Sequence, residues 1–210
     1  MLQNPTIVRV LAGVVLMIAA IQLAYGADRG TRPNSPASEK AVMQLLTQLD
    51  EWMRAHRVDL YKKLNPPATD AELRELEAQA GHALPPAFKA LLKWRNGQPA
   101  DTTDTFHPLT NEMFASSASM LATMREMNEL AKFGDITPES WSKAWLPFMD
   151  DGGGDLSCLD LKTGRVVSRN HETQEVRQTH ASLEEWLKEL VAELSTNNFE
   201  AWDFKEFRGK

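Results

Sequence analysis

The sequence predicts an α+β domain, a small mixed, mainly antiparallel sheet flanked by helices. Three observations carry this. Apolar residues recur at the helical period in several separate segments between residues 38 and 194. Four short strand-like runs follow one another between Trp145 and Thr179, separated by turn residues. Gly and Pro stand where helices should stop or start, at Gly81, Pro85–Pro86, Gly97 and Gly134. With 210 residues and 42% hydrophobic content, the chain carries enough apolar mass for one ordinary domain core.

The first 26 residues read as a separate object. Arg9 precedes an apolar core from Val10 to Ile21, and Ala24 and Gly26 occupy the −3 and −1 positions of a cut after Gly26. This is the layout of a secretory signal peptide. The apolar core is shorter than the roughly 20 residues that cross a bilayer. An uncleaved N-terminal anchor is the alternative, and only there does a membrane enter. Either route places the rest outside the cytoplasm, periplasmic or secreted if cut, anchored in the inner membrane facing the periplasm if not. Residues 27–37, "ADRGTRPNSPA", read as a linker, and residues 38–210 as a single domain with an aromatic C-terminal tail.

Within that domain, Ser38 is the expected N-cap of an amphipathic helix with Val42, Leu45, Leu46, Leu49, Trp52 and Met53 on its apolar side. Thr69 and Glu72 form a capping-box pattern at the start of a second helix, with Leu73, Leu76 and Ala80 on one face and Gly81 as its stop. Pro86 suits the first turn of a third helix, which carries Phe88, Leu91, Leu92 and Trp94 and runs out at Asn96–Gly97. A short strand is expected around Thr105–Leu109. Met120, Leu121, Met124, Met127 and Leu130 mark a fourth helix ended by Gly134. Trp145–Met149 reads as a strand that Pro147 confines to an edge or a bulge. Leu156–Leu161, Arg165–Asn170 and Glu175–Thr179 follow as strands, with "KTG" as the turn after the first of them. Ser182 caps a last helix bearing Leu183, Trp186, Leu187, Leu190, Val191 and Leu194. The tail "NNFEAWDFKEFRGK" either packs back on the domain or serves as a partner-binding peptide.

The ordered set Gly81, Leu84–Pro85, Asn96–Gly97, Trp145–Pro147–Phe148, Gly154–Asp155, Cys158–Leu159–Asp160–Leu161 and Ser182–Trp186–Leu187 resembles the SUKH superfamily. More narrowly it resembles the Smi/Knr type of cell-wall assembly regulators and bacterial toxin-immunity domains, over residues 65 to 195. The resemblance implies an α+β domain without catalytic activity. It implies that bacterial members bind and block a cognate toxin, and that fungal relatives act as scaffold-like regulators of cell-wall synthesis. The export segment departs from the many cytoplasmic immunity proteins of this type. It shifts the expected target to a toxin acting in the envelope or periplasm.

The stretch "FMDDGGGDLSCLDL" admits three readings. A calcium loop of the EF-hand kind alternates its ligands and closes with Glu at the twelfth position. Here Asp150 and Asp151 are adjacent, and Leu161 occupies the closing place. A phosphate cradle feeds a helix N-terminus, whereas the pattern after Gly154 is a strand. A glycine bend between two strands fits best, with Asp155 fixing the turn through its side chain. Asp150 and Asp151 are then left as exposed carboxylates, placed to meet a basic partner.

Other chemistry finds little purchase. "HETQE" lacks the second His of a zincin, and His171 and His180 have no carboxylate or Cys at zinc-ligand spacing. His56, His82 and His107 read as surface or capping residues. Glu184 and Glu185 read as a solvated face. The one cysteine, Cys158, reads as a buried small hydrophobe. Of six Trp, Trp145 and Trp186 are expected in the core, and Trp141 and Trp202 as interface anchors. The net charge of −6 and the lack of a Lys/Arg cluster argue against nucleic acid. The sequence therefore predicts no catalytic residue, metal or cofactor. It predicts a binding protein whose partner is a toxin, with an envelope-assembly scaffold as the alternative.

Overall fold

The computed structural model describes residues 36–102 and 104–196. The expectations for the export segment, for most of the linker and for the tail with Trp202 lie outside these residues. Six α-helices are described: α1 (Pro36–His56), α2 (Val58–Lys63), α3 (Asp70–Ala80), α4 (Pro86–Trp94), α5 (Ser117–Phe133) and α6 (Leu183–Thr196). Five strands join them: β1 (Met113–Phe114), β2 (Trp145–Asp150), β3 (Leu156–Asp160), β4 (Val166–Arg169) and β5 (Val176–His180). A short 3-10 turn, Pro138–Ser140, precedes β2.

The sheet runs β1-β2-β3-β4-β5 in chain order, and each neighbouring pair is antiparallel. The α+β expectation holds, and no parallel pair occurs among the described strands. Pro147 pairs with Cys158, and the register then shifts before Met149 pairs with Ser157. Proline has no N–H to give the ladder, so a bulge at this point costs little. Phe148, the residue left over, is fully buried. Its ring packs edge-on against Phe88 of α4 at 6.1 Å and Trp186 of α6 at 4.9 Å. Helix α1 packs on α4 and α6, α3 packs on α5, α5 contacts β2, and α6 contacts β5.

Several local expectations need correction. Helix α1 starts at Pro36, so Ser38 is a buried residue of its first turn and not its N-cap. Helix α2 was not expected, because its six residues are too few to display a period. The strand placed at Thr105–Leu109 is one isolated bridge, His107 to Glu112, and the true strand is Met113–Phe114. Met113 and Phe114 are the residues that pair with Asp150 and Met149 of β2, and Gln98 bonds Phe114 too, its N–H donating to the Phe114 carbonyl at 2.8 Å and its side-chain oxygen accepting from the Phe114 N–H at 2.7 Å. Trp141 is buried at 7% exposure, with its indole N–H on Asn128 and its ring edge-on to Trp145. It is a core residue and offers no anchor to a partner.

Candidate functional site

The motif residues between α3 and α5 are structural, and their chemistry explains their order. The Thr69–Glu72 capping box is complete, each side chain satisfying the other residue's main-chain N–H. Asn96 joins this cap to the next helix. Its Oδ1 accepts from the Ser117 N–H at 2.8 Å, and its Nδ2 donates to Glu72 at 3.0 Å and to the Ser117 hydroxyl at 2.9 Å. One buried amide thus serves two helix N-termini. Gly97 follows with φ +65°, and a Cβ there would lie 2.4 Å from the main chain of Ala115 and Ser116. The Gly81–Leu84–Pro85 corner is held by Glu77, which accepts from the Leu84 N–H at 2.9 Å and pairs with Lys89 at 2.7 Å.

The glycine loop between β2 and β3 is a bend, as expected, with the roles of its carboxylates exchanged. Asp150 accepts from the Gly152 N–H, and Asp151 accepts from the Gly153 and Asp155 N–H groups. These two, expected as free rim charges, pin the loop and are only half-exposed. Asp155, expected to fix this turn, reaches across to the β4–β5 turn instead. It accepts from the His171 N–H at 2.8 Å, pairs with the His171 ring at 2.7 Å and accepts from Asn170 at 2.9 Å. Burial pushes its carboxyl up, but these bonds outweigh burial and leave it below the ordinary value. Gly154 at φ +106° gives the His171 side chain room, since a Cβ there would meet it at 3.1 Å. Asp160 holds the next turn through the Lys162 N–H and the Thr163 hydroxyl.

Between this loop, the sheet, the 107–112 segment and α6 lies a cleft of about 250 Å³. Five carboxylates line it: Glu112, Asp151, Asp155, Glu189 and Glu193. Two histidines, His107 and His180, and the Trp186 ring complete the charged and aromatic walls. No lysine or arginine is among the described residues that line it. Glu112 is buried at 8% exposure and accepts from the Ser157 and Thr110 hydroxyls. Burial raises its carboxyl above the usual value, and those hydroxyls hold it back only in part. His107 is buried at 6% exposure, and burial lowers its ring to about 4, so the imidazole is neutral at pH 7. Its Nδ1 accepts from the Thr110 N–H at 3.4 Å, which assigns the ring proton to Nε2. His180 pairs with Glu189 at 3.1 Å. Glu193 is raised by burial and then by Glu189, one helical turn away.

This cleft was missed from the sequence. His107 read as a surface or capping residue, and Glu112, Glu189 and Glu193 drew no attention. The available signal was the pair Glu189 and Glu193, two like charges at i, i+4 beside the apolar stripe of α6, an arrangement that weakens an isolated helix. Of the expected site residues, the fold brings Asp151, Asp155 and Trp186 into the cleft wall. Trp145 and Pro147 stay in the core. Cys158 is fully buried opposite Val167, and burial pushes its thiol far up. Among the described residues, no group of three or more His, Cys, Asp or Glu is placed to hold a metal ion. A second recess, between α1 and α4, is lined by Met43, Leu46, Thr47 and Trp94.

A family model described as SMI1 / KNR4 family (SUKH-1) matches residues 67–189. The chain is also similar to the SPbeta prophage-derived uncharacterized protein YokK of Bacillus subtilis (strain 168). The two are 23% identical over 144 residues, 60% of this chain and 73% of that protein. The family match spans more than half the sequence, from the residues before the capping box to the body of α6, and takes in the Asn96–Gly97 hub and all of the cleft lining but Glu193: the chain belongs to the SMI1/KNR4 (SUKH-1) family.

Proposed function

We propose that the protein is an exported, non-catalytic immunity protein that binds and neutralises a cognate toxin acting in the envelope or periplasm. The observation that supports this reading most is the acidic cleft. It sets five carboxylates and one aromatic wall in a concave, partly water-excluded place with no lysine or arginine among the described lining residues. A low-dielectric recess of one sign focuses its field and draws the opposite charge. Binding of that kind needs a rigid frame more than reactive groups, and the Asp150, Asp151 and Asp155 bonds supply one. The export half of the reading comes from the layout around Arg9, Val10–Ile21 and Gly26.

The test is genetic and then biochemical. Immunity predicts a secreted-toxin gene beside this one, and the gene is deleted from its native host alone and together with that neighbour. Immunity predicts that the single deletion is lethal or unfit and that the double deletion grows normally. An envelope defect that persists in the double deletion supports an assembly scaffold and overturns immunity. Intact mass of the protein recovered from the periplasm tests export separately, with loss of residues 1–26 as the expected result. An unprocessed protein found in the cytoplasm overturns that half.

A further inference from the structure

The sheet face away from the cleft holds a cation that the fold does not use. Arg169 follows Ser168 on β4, and Ser168 lines the cleft, so the Arg169 side chain leaves the opposite face. There it stands in one row with Asp150 of β2, Leu156 of β3 and Val176 of β5. Trp145 belongs to the same face, and Trp141 packs edge-on against it, so the segment before β2 runs along this side of the sheet. Gln174, at φ +58° in the β4–β5 turn, fastens that segment by accepting from the Thr137 N–H at 2.7 Å.

Arg169 is buried on this side, at 4% exposure. Its Nε is shut off from solvent and has no hydrogen-bond partner. The two terminal nitrogens are not shut off in the same way, and among the described residues they too make no hydrogen bond or ion pair. Burial lowers the guanidinium below its ordinary value, and Cys158 and Asp155 offset that only in part. The Asp155 carboxylate is itself taken by Asn170 and His171. A buried charge left without a partner weakens a fold unless something meets it.

We propose that Arg169 is the receiving group of a carboxylate-binding site on this face, its two terminal nitrogens donating parallel hydrogen bonds to the two oxygens of one guest carboxylate. The planar fork matches a planar carboxylate. The surroundings select against phosphate. Asp150 lies in the same row and Asp155 directly precedes Leu156, so a doubly charged guest meets more repulsion than a singly charged one. The guest is an acidic side chain of a partner protein or a small free carboxylate, and the two share this chemistry.

Full-length protein is titrated at constant ionic strength with Nα-acetyl-glutamate N-methylamide, its glutamine analogue, acetate and inorganic phosphate. The Arg169 Nε–H signal is followed by NMR and assigned from its loss in Arg169→Lys. The expected result is a saturable shift with the glutamate probe, and binding of the neutral glutamine analogue about tenfold weaker or worse. Arg169→Lys keeps the charge without the fork, and chemical shifts of its neighbours should report about tenfold weaker binding. Tighter binding of the glutamate probe than of acetate supports the site and assigns it to a partner's side chain. Equal binding of acetate supports it as a site for a free carboxylate. No saturable shift, or equal binding of the glutamine analogue, overturns the site, and tighter binding of phosphate overturns its carboxylate class. Arg169→Met keeps the stem and removes the charge, so without any guest its Tm should equal or exceed that of the parent. A lower Tm in Arg169→Met, with no carboxylate response in the parent, assigns the guanidinium to the fold alone and overturns the proposal. The cleft lies on the other face, so each of these results leaves the toxin-binding reading where it stands.

Discussion

Replacing Gly97 by Ala separates two costs that glycine usually hides together. The first is backbone strain. Gly97 sits at φ +65° and Gly81 at φ +68°, and a Cβ in that region costs about 1–2 kcal/mol. At Gly81 nothing lies within 4 Å of the added atom, so Gly81→Ala should cost that and no more. At Gly97 the new Cβ would lie 2.4 Å from the Ala115 carbonyl carbon and oxygen and the Ser116 nitrogen. These are main-chain atoms and cannot rotate aside. The two chain segments must part, at the expense of the Asn65 N–H to Gly97 bond and both Gln98–Phe114 bonds. At about 1 kcal/mol for each of these, Gly97→Ala should cost about 4–5 kcal/mol in all. For a chain of this length that is a fall in Tm of about 10–20 °C. Urea unfolding of the parent and both variants reads the difference directly. A Gly97→Ala variant within about 1 kcal/mol of Gly81→Ala would refute the close approach, because strain alone is common to both.

Three further outcomes follow from named contacts. Asn96→Ala strips hydrogen bonds from Glu72 and from the Ser117 N–H and hydroxyl, and should destabilise by about 2–4 kcal/mol in thermal unfolding. Asn96→Asp should cost no less, since it sets a second carboxylate against Glu72. His107 is lowered to about 4 from 6.5, so the folded state resists its protonation. Its stability contribution is complete above pH 6.5 and is lost as pH falls toward 4, about 3 kcal/mol in that window. The groups that face it, Glu112, His180, Glu189 and Glu193, are common to parent and variant. The slope of stability against pH should therefore flatten in His107→Gln between pH 6.5 and 4, and an unchanged slope would count against the buried neutral ring. Asp155 has the same sign at lower pH, its carboxyl being held below the ordinary value. Asp155→Asn should be less stable than the parent at pH 7, with the gap closing as pH drops through the carboxylate range.

The elements legible in the sequence were those whose signals are local. The capping box at Thr69, the left-handed stops at Gly81 and Gly134, Pro86 in a first turn and the strand-turn rhythm from Trp145 onward all depend on neighbours in the chain. The motif order added the domain type. What escaped depends on distant partners. Strand β1 exists because Met113 and Phe114 pair with Asp150 and Met149 of β2, far along the chain, with Gln98 bonded to Phe114 as well. Trp141 is core because Asn128 and Trp145 enclose it. The cleft joins two loops, three strands and a helix that share no pattern, and two His with scattered Glu residues have no spacing to betray it. In the glycine loop the expected roles were exchanged: Asp150 and Asp151 accept the loop's own N–H groups, while Asp155 reaches the β4–β5 turn, a partner fifteen residues away that no local pattern announces.

The single thiol has a practical consequence. Cys158 sits at the centre of β3, fully buried between its partners Pro147 and Val167. A thiol that is both inaccessible and held protonated does not react while the sheet is closed. Any modifying reagent therefore scores only molecules whose sheet has opened, and the labelling rate becomes a clock for that opening. Oxidants meet the same barrier at Cys158, so this thiol stays reduced while the domain is folded. The lifetime of the reduced thiol is then governed by how often the sheet opens.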